Sequence, residues 1–137
     1  YLHWGHDISP EENQYEAGLN FAISFKKEIN FIGKEHLNNQ KDNKLKKKFI
    51  MLSLKNNKPG NPLLLHDEPI YLDDKIIGRT TSGNYSFNYK KNIAFGYVKS
   101  LDSLNEKNLE IEVEKVRYKA ILEPKPLHDP QSKILKS

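Results

Sequence analysis

Three His-Asp pairs, His6-Asp7, His66-Asp67 and His128-Asp129, are the first candidates for chemistry in this chain. A metal site needs several such groups to converge, and His3-x-x-His6-Asp7 is the one local cluster. On a helix, His3 and His6 would share a face and could bind a divalent ion. Gly5 and Pro10 argue instead for a loop, and spacing fixes no further ligand. Surface histidines that cap turns are the competing reading, and the one carried forward. Nucleophilic catalysis has no better footing. There is no cysteine, and Ser82, between Thr81 and Gly83, lacks the Gly-x-Ser-x-Gly elbow. Gly78 and Gly83 are spaced for neither a dinucleotide fingerprint nor a P-loop.

Residues suited to binding are easier to find. Trp4, the only tryptophan, stands between His3 and Gly5 in a polar turn. A lone tryptophan usually belongs to a core, but an amphipathic ring in such a turn can line a ligand pocket. The run Lys44-Leu45-Lys46-Lys47-Lys48 could contact phosphates, and Tyr71, Tyr85, Tyr89 and Tyr97 could stack bases on a barrel surface. Those lysines, however, lie in an apparent linker, apart from the aromatic strands. A nucleic-acid or protein-binding module is therefore the alternative, and nucleic acid is not the expected partner.

Composition sets the frame for these residues. At 137 residues the chain fits one domain, or a small domain plus part of another. Its 36% hydrophobic content can build a core. The formal charge of +4 is mildly basic, and much of the excess sits in the lysine run. No apolar stretch is long enough to cross a bilayer as a helix, so a membrane is not an expected partner. The lack of cysteine suits a reducing compartment, and a cytoplasmic location is expected. The chain opens at Tyr1 directly into a dense motif, which reads as a piece of a longer polypeptide.

Periodicity assigns the elements. Leu19, Phe21, Ile23 and Phe25 alternate with Asn20, Ala22 and Ser24, which predicts a half-buried strand. After Gly33 the spacing predicts a short helix to about Asn39. Residues 38–48 are polar and predict a linker, dividing the chain into 1–45 and 46–137. Beyond it, Phe49–Leu54 has the length and composition of a strand, and Asp73-Asp74 joins two more as a tight hairpin. Arg79–Tyr85, dense in glycine and hydroxyls, predicts a turn, and Asn92–Val98 a strand. Leu109, Ile111 and Val113 alternate with glutamates, and Val116, Tyr118 and Ala120 with Arg117 and Lys119. An antiparallel hairpin with opposed charges on its wet face explains both. Its turn near Glu114-Lys115 lacks the usual Gly or Asn, so the residues leave its register open. The reading is mainly β, a small barrel or sandwich.

The motifs in order resemble the carboxyl-terminal part of the glycine-cleavage T-protein (aminomethyltransferase) superfamily. Trp/Tyr-Gly-x-Asp/Glu-Leu of that family is similar to Trp4-Gly5-His6-Asp7-Ile8, followed by Glu16-Ala17-Gly18-Leu19. Phe31-Ile32-Gly33-Lys34-Glu35-His36-Leu37 resembles Phe-Ile-Gly-Arg-Glu-Ala-Leu. Glu68-Pro69-Ile70, Ile77-Gly78-Arg79-Thr80-Thr81-Ser82-Gly83 and Glu123-Pro124 to Pro130 continue the likeness. It is strongest to the folate-linked end of the flavin-dependent dimethylglycine and sarcosine dehydrogenases. T-proteins proper carry an arginine a few residues before the Pro-Ile pair, and this chain has Leu65 near that place, which also favours the dehydrogenase branch.

The resemblance implies a small antiparallel β-barrel, preceded by a short α/β remnant of the folate-binding domain. It implies tetrahydrofolate and a small amine as partners of the parent protein, with FAD in a domain absent from this chain. No catalytic residue is expected here, because the family's activating aspartate lies upstream, so the piece would be inactive alone. Trp4, Asp7, Glu16, Arg79, Ser82 and Tyr85 are the residues expected to face the folate channel. Structural alternatives stand beside them: Glu16 capping a turn, and Arg79 paired with Asp73 or Asp74. Without the missing amino-terminal domains, the apolar side of residues 19–25 would need cover, and a fragment dimer is one way to provide it.

Overall fold

The computed structural model describes residues 2–41, 43–55, 58–99, 108–131, 133–134 and 136–137. Six strands, β1 (Lys47–Leu54), β2 (Pro69–Leu72), β3 (Lys75–Ser86), β4 (Lys91–Lys99), β5 (Leu109–Val113) and β6 (Val116–Glu123), follow one another. They close into an antiparallel barrel in the order β1-β4-β3-β2-β5-β6, with β6 returning to β1. Closure leaves no open sheet edge among these strands, so their ladder groups pair within the barrel. The expected mainly β class and barrel are what the chain adopts.

Alternation builds the interior. Ile50, Leu52 and Leu54 of β1 join Ile70, Leu72, Ala94, Val98, Leu109, Ile111 and Val113 in one buried cluster. Burying each large aliphatic side chain contributes about 1.5–3 kcal/mol. Both short hairpins turn through two residues of positive φ: Asp73 (45°) and Asp74 (67°), then Glu114 (50°) and Lys115 (66°). That double positive φ matches the strands' own twist, so Val113 pairs directly with Val116. The Glu114-Lys115 turn thus forms without glycine or asparagine.

Three expectations need correction. Arg79–Tyr85 is not a turn: it lies wholly within the twelve-residue strand β3. Glycines of β3 and its neighbour β4 mark close strand approach. A Cβ on Gly78 would fall on the Tyr97 carbonyl, and one on Gly96 would lie 2.5 Å from the Arg79 carbonyl oxygen. Residues 19–25 form no strand. They hold one 3-10 turn, Asn20–Ala22, because no described strand lies alongside to take their backbone groups. The polar stretch 38–48 is shorter as a connection than expected. Helix α1 (Lys34–Gln40), foreseen in sequence, runs into it, and β1 begins at Lys47.

Candidate functional site

Residues 2–17 form a compact loop against the barrel wall. Gly5 takes φ +92° and its amide donates to the Ile8 carbonyl at 2.8 Å. The His3 carbonyl accepts from the amides of Asp7 at 2.8 Å and Ile8 at 3.3 Å. This knot turns the Asp7 side chain inward, where it is 2% exposed. Its Oδ2 accepts from the His3 amide at 2.9 Å. Its Oδ1 accepts from Thr81 Oγ1 at 2.6 Å and Ser82 Oγ at 2.7 Å.

Adjacent residues of a regular strand point to opposite faces, so Thr81 and Ser82 should not share a partner. The β3–β4 register shifts between Thr80 and Ser82, leaving Thr81 as the extra residue of a bulge. The bulge re-aims both hydroxyls onto one carboxylate.

Three further links fasten the loop. Tyr97 Oη donates to the Asp7 carbonyl at 3.0 Å. Burial pushes the Tyr97 phenol well above its ordinary pKa, and the charges of Glu12, Asp7 and Glu16 add to this, so it remains a donor. The Phe49 amide donates to the Glu16 carbonyl at 2.9 Å. That amide is within reach because β1 pairs with β6 only from Met51 onward. Lys47 Nζ lies 2.5 Å from Glu12 Oε1, and Ser9 donates to Glu12 Oε2 through its amide at 2.8 Å and its hydroxyl at 2.7 Å. Burial opposes ionisation of Glu12, but the Lys47 and Ser9 hydrogen bonds outweigh it and hold the carboxyl below its usual range. The Glu16 side chain caps a turn, as its structural alternative had it. Its Oε2 accepts from the Asn13 amide, and Asn13 Oδ1 accepts from the Glu16 amide at 2.8 Å.

The outward side of the knot carries rings. The His3 and His6 rings stack at 4.6 Å, and His6 meets His66 edge-on at 6.3 Å. His66 Nδ1 lies 2.9 Å from Asp67 Oδ2, and Arg79 Nη1 lies 3.2 Å from Asp67 Oδ1. The hydrogen bond to His66 holds the Asp67 carboxyl low against the opposing effect of burial, and the charge of Arg79 adds a smaller pull in the same direction. Two of the three His-Asp pairs therefore meet across the loop–barrel junction. Among the described residues no group of three or more His, Asp or Glu could hold a metal ion. Trp4 is 69% exposed beside them.

Of the six residues expected to face folate, Asp7 and Ser82 touch each other, and Arg79 joins them through Asp67 and the histidines. Arg79 pairs with neither Asp73 nor Asp74. Asp74 is instead 2.5 Å from Arg117. Tyr85 stands apart, its ring edge-on to Phe87 at 5.1 Å. A shallow cleft beside Arg79 is lined by Pro69, Ile76, Ile77 and Gly78. The sequence reading missed Thr81 as a partner of Asp7 and named Tyr97 only for base stacking and His66 only as half of a His-Asp pair. The repeated His-Asp dipeptide was a signal for His66 alone.

Residues 47–129 match the family model of the glycine cleavage T-protein C-terminal barrel domain. The chain belongs to this family. Human (Homo sapiens) mitochondrial dimethylglycine dehydrogenase is 33% identical over 127 residues, which cover 90% of this chain and 14% of the relative. An aminomethyltransferase of Listeria welshimeri serovar 6b is 34% identical over 125 residues, covering 91% of this chain and 33% of the relative. Mouse (Mus musculus) mitochondrial sarcosine dehydrogenase is 29% identical over 143 aligned positions. In structure, the glycine cleavage system aminomethyltransferase T from Bartonella henselae superposes with a TM-score of 0.80 at 16% identity. That match covers 95% of this chain and 36% of the other, and it speaks to the fold. The chain thus spans a third or less of the relatives it matches. The family expected from the motifs, with its aminomethyltransferase and dehydrogenase relatives, is the family found.

Proposed function

We propose that this chain is the carboxyl-terminal section, barrel plus preceding folate-domain remnant, of a tetrahydrofolate-linked one-carbon enzyme of the FAD-dependent N-methylamine dehydrogenase type. What carries the reading is the reach of the likeness. Identity of about a third extends over nine-tenths of the chain, well outside the barrel at 47–129, and the sarcosine dehydrogenase match takes in 99% of it. Leu65, near the place where T-proteins proper carry arginine, favours the dehydrogenase branch.

In this reading the barrel closes one side of the folate channel and the chain supplies no catalytic acid or base. Bound tetrahydrofolate would offer the amine that takes up the one-carbon unit, and FAD elsewhere in the polypeptide would oxidise the N-methyl amine. The residues here position and enclose. Asp7 and Ser82 are hydrogen-bonded to each other, so in this reading they set the loop. Glu16 is likewise a loop support. Trp4 keeps a free aromatic face, suited to stacking on a pterin, and Arg79 a largely exposed guanidinium. Holding an amine against a reactive carbon and excluding water is largely a matter of placement.

The test uses the full-length polypeptide: an absorption spectrum before and after acid precipitation, and tetrahydrofolate binding with and without Trp4→Ala. Flavin bands, together with folate binding weakened about tenfold by the substitution, are the expected results. A colourless protein that binds folate moves the reading to a flavin-free aminomethyltransferase. Absence of folate binding removes it.

A further inference from the structure

Three histidines at the loop–barrel junction take no part in the function proposed above. His3 and His6 belong to the loop, and their rings stack at 4.6 Å with planes 15° apart. His66 lies just ahead of β2 on the barrel and meets His6 edge-on at 6.3 Å. Both separations suit attractive contact between neutral rings. The rings thus add a second seam between loop and barrel, beside the hydrogen bonds of Asp7 to Thr81 and Ser82.

An imidazole ordinarily takes up a proton near about pH 6.5, so this seam changes charge in mild acid. The charged groups around it decide the sign. On the loop, the Asp7 oxygens already accept three hydrogen bonds. Glu12 is paired with Lys47 of β1, and Glu16 is held in the Asn13 turn. Ahead of β2, Asp67 is shared by His66 and Arg79, while Glu68 accepts from Thr80 and from the Leu65 amide. From β4 come Lys99, beside Arg79 in the cleft, and Tyr97, a neutral donor to the Asp7 carbonyl. One available carboxylate, Asp67, therefore faces three imidazoles and a guanidinium. Two stacked imidazolium rings repel, and a charged His66 adds to the repulsion on His6. Opening the loop separates these charges, so the opened form binds more protons. The closed junction is then favoured above the ordinary histidine value and lost as pH falls through it.

We propose that His3, His6 and His66 form a pH-sensitive latch. Neutral rings fasten residues 2–8 to the barrel, and protonation loosens them while the barrel stands. The His66 side chain is 61% exposed and that of Arg79 73%, so water screens the repulsion and the response is graded. Trp4 lies inside the latched stretch, so its presentation follows pH as well. The latch itself does not rest on the folate reading.

Hydrogen exchange followed by mass spectrometry on the full-length polypeptide tests it, with rates corrected for the pH dependence of chemical exchange. Protection of amides 3–8 is expected to fall about threefold to tenfold between about pH 8 and about pH 5.5, with β1 and β4 unchanged. Glu12 titrates lower, below the ordinary glutamate value of about 4.3, and stays outside this range. His6→Phe keeps a ring in the stack that takes no proton, and should hold protection level across the range. His6→Lys sets a permanent charge there, and should open the loop at both ends of it. His36→Gln, on α1, should keep the wild-type response. A wild-type profile that is level, or that tightens in acid, overturns the proposal. So does a fall that survives His6→Phe, or a loop that stays closed in His6→Lys. These readouts involve neither folate nor flavin, so the latch and the enzymatic reading fail separately.

Discussion

The barrel and the loop segment before it are held by different forces. In the barrel, side chains such as Leu52, Ile70 and Ile111 are fully buried in one cluster, and six strands share closed ladders. Stabilisation there is spread over many non-directional contacts. The segment 2–17 rests on a few directional hydrogen bonds converging on Asp7, with supports at Glu12 and Glu16. A spread core resists single changes locally and fails as a whole, whereas a knot can open while the barrel stands. The distinction matters because Trp4, proposed to face ligand, hangs from the knot.

The largest effect should come from the barrel. Leu52→Ala removes a side chain with no exposure, and a loss of about 3–4 kcal/mol is expected. Urea unfolding followed by circular dichroism measures it, and the loop should be lost in the same transition. Separate transitions would mean that loop and barrel are not coupled in the direction described.

Next in size is Asp7→Ala. It strips three donors of their acceptor, including the half-buried hydroxyls of Thr81 and Ser82, and should cost about 2–3 kcal/mol. Here the two regions should part. Limited proteolysis is expected to cut within residues 2–17 while the barrel keeps its β-sheet spectrum. A barrel that unfolds together with the loop would erase the difference between knot and core.

How much of this was legible beforehand follows the same division. The alternation of Leu109, Ile111 and Val113 with glutamates reports a local fact, one wet face and one dry, and the structure honours it. The Phe31–Leu37 spacing likewise gave α1. Residues 19–25 show the same alternation and fail, because a strand is a relation to a neighbour and periodicity is silent about whether one is present. Arg79–Tyr85 misled in the opposite sense. Glycine and hydroxyls read as a turn, but Gly78 answers to the Tyr97 carbonyl on the neighbouring strand, and Thr81 and Ser82 answer to Asp7 more than seventy residues away. Asp7 was picked out in a His-Asp pair and, as a folate-facing residue, by resemblance. Its role as acceptor depends on a bulge that no local pattern announces.

A finer probe is Tyr97→Phe, which removes only the bond to the Asp7 carbonyl. The ring still packs edge-on against Phe49 at 5.2 Å, so the core-side packing survives. About 1 kcal/mol is expected, seen as faster amide exchange at residues 3–8 with β1 and β4 unaltered. An effect as large as that of Asp7→Ala would shift the weight of the junction from the carboxylate to the phenol.

The smallest effect separates the regions by pH. Glu12 on the loop and Glu123 on the barrel both have carboxyls held low. In each case burial opposes ionisation and is outweighed, by Lys47 and Ser9 for Glu12 and by Lys91 and Ser53 for Glu123. A lowered native pKa means that the folded form favours the carboxylate. The stabilisation is therefore fully present above the ordinary glutamate value of about 4.3, and it fades as pH falls through the lower native value. Lys47 is one-third exposed, so the Glu12 contribution should stay below about 1 kcal/mol and shrink with added salt. Glu12→Gln should thus remove the acid-dependent rise in exchange at residues 9–17. The acid response of the barrel, which Glu123 retains, should not move. If both regions lost their acid sensitivity together, the loop and the barrel would be one electrostatic unit, and the knot would not be a separable device for presenting Trp4.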